Sequence, residues 1–166
     1  MTRLHRYLLL ALTGLLGPGA AGGASAATPP RIAVIVGASA PRLVLDRDTL
    51  RDIYLKKIFV DKEGHRLIPV NLPPESPVRE AFAHTLIRMS DSRLQDYWNR
   101  QYFQGVSPPY VLASQQAVVR FVASTPGAIG YVSACFLGPD VHVALWLPSP
   151  AESSASTDTC PDSPEH

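Results

Sequence analysis

Ser76 followed by Pro77 is where this sequence best places chemistry. A serine before proline is a strong helix start: the hydroxyl caps the first turn and proline fits the first helical position. The start of a helix carries N–H groups without intrahelical acceptors and the positive end of the dipole, so it attracts anions. The donors available would be the backbone N–H groups of Val78 and Arg79, with the Ser76 hydroxyl beside them. The Arg79 side chain would add a charged fork. Pro77 has no N–H to give. The plainer reading of Ser76 is that it only caps its own helix.

Other chemistry finds little support. The histidines are His5, His65, His84, His142 and His166, and no two stand four residues apart as in a helical zinc site. No CxxC occurs, so no metal centre and no cofactor is expected. Ser39 lies in Gly37-Ala38-Ser39-Ala40-Pro41, and a nucleophile elbow needs glycine where Pro41 stands. Ser133 has no such frame either. No carboxylate pair sits in an apolar setting that would split acid and base roles. An enzyme is therefore not expected. Cys135 and Cys160 are the two cysteines. Either they form one disulfide in an oxidising compartment, or Cys135 is buried and Cys160 stays unpaired.

The elements that must position Ser76 follow from the apolar pattern. Arg31 to Val36 is a continuous β-branched run and reads as a strand buried on both faces, as in a parallel sheet. Asp46 caps a helix whose inner face is Leu50, Ile53 and Tyr54. Leu67 to Asn71 is a short strand leading to Ser76. The helix beyond carries Val78, Ala81, Phe82 and Leu86 on one stripe. Ser90 or Asp91 caps a further helix with the stripe Leu94, Tyr97, Trp98, Gln101 and Tyr102. Ser114 opens another, with Ala117, Val118, Phe121 and Val122 inside. Ala128 to Ser133 and Val141 to Leu147 read as strands. Strand, helix, strand, three helices, strand, strand is an α/β order, with helices packed on a small, mostly parallel sheet.

The chain has 166 residues, 15 basic and 14 acidic side chains, and a net charge of +1. This is one domain's length, and such a balance gives no argument for nucleic acid as a partner. Residues 1–27 read as a secretory signal peptide. Arg3, His5 and Arg6 precede the apolar run Tyr7 to Leu16, and Ala24-Ser25-Ala26 offers small residues at cleavage spacing. That run is too short to span a bilayer, so no stable membrane span is expected after cleavage, and the mature chain is expected in a periplasm. Residues 149–166 carry Glu152, Asp158, Asp162 and Glu165 with no Lys or Arg, and read as a disordered acidic tail rich in Ser and Pro. The folded domain is expected at 28–148. It keeps 13 basic and 10 acidic residues and so carries +3, a bias that permits an anionic ligand.

The run RIAVIVGASAPRLVLDRDTLRDIYLKKI resembles a stretch of phosphate ABC transporter substrate-binding proteins, with Lys56 where that family has glycine. Thr125-Pro126-Gly127-Ala128-Ile129-Gly130-Tyr131-Val132 is similar to the family's T-P-G-A-I-G-Y-V segment. The resemblance covers about residues 31–133. It implies a periplasmic binding protein fold of type II, but only one lobe of the two that such proteins close around a ligand. The family's R-x-D-x-S-G-T ligand segment falls on Leu72 to Val78. Ser76 keeps the serine, while Leu72, Pro74, Pro77 and Val78 replace arginine, aspartate, glycine and threonine.

The implied function is a secreted solute-binding-like protein associated with phosphate or another small oxyanion and its transport, with Ser76, Val78 and Arg79 as ligand residues and an inner-membrane transporter or sensor as partner. The alternative is an interaction or sensor-accessory protein that kept the fold and lost the ligand. Its docking face would be Tyr97, Trp98, Tyr102 and Phe103, unless these aromatics pack inward as such faces usually do.

Overall fold

The computed structural model describes residues 31–148 apart from 42 and 44. The expected signal segment and acidic tail lie outside the described residues. The element order is β1 (Arg31–Gly37), α1 (Arg47–Tyr54), β2 (Ile68–Asn71), α2 (Pro77–Phe82), α3 (Asp91–Tyr102), β3 (Tyr110–Val111), α4 (Gln115–Ser124), β4 (Ala128–Ser133) and β5 (Val141–Pro148). One sheet holds the five strands in the order β3-β2-β4-β1-β5. β2 pairs parallel with β3 and β4, and β1 pairs antiparallel with β4 and β5. Four strands thus share a direction, and among the described strands β1 alone runs against them.

Ile32 to Val36 are buried throughout, as the apolar run predicted. That burial comes from the interior position of β1, between β4 and β5, with helices packed over the sheet. It does not report pairing direction, which is antiparallel on both sides. The core centres on β1 and β4. Their side chains meet Leu50, Ile53 and Tyr54 of α1, Phe82 of α2 and Val118 and Val122 of α4. At Gly130 an added Cβ would run into the Val118 side chain, so the missing side chain is what lets α4 lie close on β4.

Among the described residues, each of the four α-helices begins where a capping side chain stands. Asp46 accepts the Thr49 N–H at 2.8 Å, Ser76 that of Arg79 at 3.4 Å, Ser90 that of Arg93 at 3.4 Å and Ser114 that of Ala117 at 3.2 Å. The helical turns of α2 continue through a π-helical stretch, Ala83–Ile87, and stop at Arg88 in the left-handed region with φ 55°. The wider turn brings Ile87 into the core beside Leu86, adding to the predicted stripe.

The short strand β3 was not predicted, since two residues carry no periodicity. Tyr110 pairs with Val70 and Val111 with Asn71. This pairing is what sets the start of α4 beside the start of α2.

Candidate functional site

β2, β3 and β4 end at the same sheet edge, and in open α/β sheets ligands bind outside the carboxyl ends of the strands. The turn after β2 leads into Ser76 and α2. The turn after β3 leads into Ser114 and α4. These two helix starts converge on one small cleft of about 280 Å3, whose walls also hold Leu72, Glu75 and Gln116. Gln115 ties α4 to β4 by accepting the Ser133 N–H at 2.6 Å.

The predicted residues divide between two places. Ser76 lines the cleft, but its hydroxyl already accepts the Arg79 N–H. The plain capping role of Ser76 is therefore present, and it occupies one of the two backbone donors expected there. Val78 is half-buried beside the core and is not among the residues lining the cleft. The Arg79 side chain turns away from the cleft: its Nη1 donates to the Leu72 carbonyl at 2.7 Å, and the residue lines a separate groove between α2 and α3. Ser114, Gln115 and Gln116 are polar cleft residues that the sequence reading did not assign to a site. Ser114 was visible as a helix start of the same kind as Ser76. Its nearness to Ser76 depends on β3.

The cleft can offer the first N–H groups of α4 and the amide of Gln116 to a small acceptor. Glu75 is exposed at its wall and opposes negative charge. Below it the frame is held by buried hydrogen bonds. The buried Tyr131 hydroxyl donates to Asn71 Oδ1 at 3.0 Å and accepts the Leu72 N–H at 3.4 Å. Burial pushes the Tyr131 hydroxyl up to about 12, against a smaller downward pull from the Leu72 N–H and the Arg79 charge. The Tyr54 hydroxyl donates to the carbonyls of Val70 and Ile129 at 3.1 and 3.2 Å, and burial raises it well above its ordinary value.

At the turn before β2, Asp61, Glu63 and His65 place ligand-type atoms within 4.8 Å of one another. The turn itself accounts for the grouping. Asp61 accepts the N–H groups of Glu63 and His65 at 3.0 and 2.7 Å and lies 3.0 Å from His65 Nδ1. Partial desolvation acts to raise the Asp61 carboxyl, but these bonds outweigh it and hold the group low. His84 is exposed on the π-helical stretch. Cys135 sits exposed in the short turn Ala134–Phe136 after β4, so the buried-thiol reading does not describe it. Cys160 lies outside the described residues.

The sequence matches no protein-family model and no curated protein. Solved structures do resemble the fold. A protein described as a phosphate ABC transporter substrate-binding protein from Clostridium perfringens, with phosphate bound, aligns with TM-score 0.57 and 21% identity over 69% of this chain and 44% of its own. An ABC-type phosphate transport receptor from Vibrio cholerae aligns with TM-score 0.56 and 18% identity over 76% and 58%. PstS from Borrelia burgdorferi aligns with TM-score 0.50 and 16% identity over 64% and 42%. The chain therefore spans about half the length of these neighbours, and what the likeness establishes is the α/β fold of periplasmic binding proteins.

Proposed function

We propose that this chain is a secreted, periplasmic, single-lobe solute-binding protein that takes a small oxyanion, phosphate first, in the cleft between the starts of α2 and α4. The observation that carries the reading is the convergence of Ser76 and Ser114 at the carboxyl ends of β2 and β3. The fold is the one in which the Clostridium perfringens neighbour holds phosphate. Binding is expected to be weak. Leu72 and Pro74 stand where charged family ligands are expected, and each charge-assisted hydrogen bond lost is worth about 1.5–3 kcal/mol. A calorimetric titration of the 28–166 protein with phosphate, with sulfate as control, tests this. Saturable binding in the range of about 0.1–1 mM, weakened at least about tenfold by Gln116→Glu, is the expected result. No heat from phosphate at about 10 mM would overturn it. Mass spectrometry of the secreted protein would test cleavage near residue 27 and the Cys135–Cys160 bridge.

A second reading has its own observation. Tyr102 and Phe103 are 72% and 88% exposed, while Tyr97 and Trp98 are half-buried. Exposed aromatic surface at the end of α3 fits a chain that docks on a membrane sensor or transporter. Among the described residues, no helix is long and apolar enough to cross a membrane.

A further inference from the structure

Arg79 was expected to serve the Ser76 cleft, yet its side chain lies in a different hollow. The groove between α2 and α3, floored by Asn71 of β2 and Val111 of β3, has a volume of about 560 Å3. That is twice the Ser76 cleft and within the usual range for organic ligands. Leu94 and Trp98 from α3, with Pro108 and Val111, give it an apolar wall. Its polar side chains are Tyr54, Asn71, Arg79, Glu80 and Gln95, and Arg79 and Asn71 are already oriented. Arg79 is fixed by the bond from Nη1 to the Leu72 carbonyl, which leaves its other N–H groups for a ligand. Asn71 has its amide oxygen taken by the Tyr131 hydroxyl, which leaves the NH2 as donor. Neither residue is fully exposed.

A planar cation beside an amide donor, set in an aromatic and proline wall, is complementary to a carboxylate on a flat apolar body. Glu80 is exposed at the same groove and disfavours ligands of higher negative charge. The geometry points to a second site on this chain, a groove for small aromatic monocarboxylates in which Arg79 and Asn71 hold the carboxylate and Trp98 packs on the ring. It is separate from the oxyanion cleft and does not depend on that cleft being occupied.

Naphthoate and its neutral isostere naphthamide are the probes. Both are titrated calorimetrically into the 28–166 protein. Naphthoate is expected to saturate below about 1 mM, with naphthamide at least about tenfold weaker, because only the charged head gains from Arg79. Arg79→Leu should remove that tenfold preference, and Trp98→Ala should weaken both probes. Excess phosphate should leave naphthoate in place, so failure of phosphate binding and failure of this site read out separately. The proposal is overturned by no saturation with naphthoate at about 5 mM, by equal binding of the two probes to the native chain, or by displacement of naphthoate by phosphate. The probe comparison on the native chain needs no variant, so it stands even if Arg79→Leu fails to fold.

Discussion

Two groups of aromatic residues face opposite fates in this molecule. Tyr54, Phe82 and Tyr131 come from three separate elements and meet in the core. Phe82 stacks on Tyr131 with ring centroids 3.7 Å apart and 3° between planes, and Tyr54 meets Phe82 edge-on at 4.7 Å. Tyr102, Phe103 and Tyr110 lie at the end of α3 and on the edge strand β3, and are 72%, 88% and 72% exposed. The residue types are nearly the same. The difference is what stands opposite. The first group sits where helices α1 and α2 cover the face of β4. The second lies at the end of α3 and on a two-residue strand with no neighbour beyond it among the described strands. An aromatic stripe at helical spacing therefore reports core only as far as another layer extends over it.

The comparison breaks hardest at Phe82. Its ring is 2% exposed and joins α2 to both tyrosines. Phe82→Ala removes these contacts and leaves a cavity, and is expected to cost about 3–5 kcal/mol. Urea unfolding would show a lower midpoint with little change in slope. A loss below about 1 kcal/mol would mean that the aromatic trio does not hold the layers together.

Alkaline pH probes the same cluster. Tyr131 is raised to about 12 and Tyr54 well above its usual value, in both cases first by burial. An unfolded tyrosine ionises near pH ~10. Between that pH and 12 the folded state holds protons that the unfolded state has released, so rising pH favours unfolding. The contribution is complete below pH ~10 and is lost as pH climbs toward 12. For Tyr131 the loss is on the order of 3 kcal/mol. Thermal melts from about pH 8 to about pH 11.5 are expected to fall steeply at the top of that range. The Tyr54→Phe/Tyr131→Phe double variant should flatten the fall. An unflattened curve would locate the alkaline sensitivity elsewhere.

What the sequence showed, and what it withheld, divides along a similar line. Helix starts were legible because caps are local. Asp46, Ser76 and Ser114 each read from their own neighbours and bond as read, and of the two candidates Ser90 and Asp91 it is Ser90 that caps. The buried run of β1 was legible from its composition. Its antiparallel direction was not, because burial on both faces is the same for either direction. β3 was invisible: two residues set no period, and only pairing with β2 makes Tyr110–Val111 a strand. The candidate site suffered for that reason. Ser76 was found as a helix start, but its partner Ser114 is 38 positions away in sequence and is brought near only by β3. The destination of the Arg79 side chain was hidden as well. It is fixed by the Leu72 carbonyl, a backbone group that no side-chain pattern announces.

The exposed aromatics sharpen the comparison with the smallest effect on stability. Tyr102 and Phe103 touch each other edge-on, with centroids 6.2 Å apart, but most of their surface is already open to solvent. Tyr102→Ser and Phe103→Ser together are expected to change unfolding free energy by less than about 0.5–1 kcal/mol, far below the effect of Phe82→Ala. If this end of α3 docks on a protein partner, the same pair of changes should still be costly there. A buried aromatic anchor is worth about 2 kcal/mol or more at an interface. A crosslinking and pull-down comparison of native and doubly substituted protein in a periplasmic extract separates the outcomes. Unchanged stability with a lost partner would make the exposed cluster a recognition surface. Lost stability would instead mean that α3 packs more of its end than the described contacts contain, and would remove the distinction between the two aromatic groups.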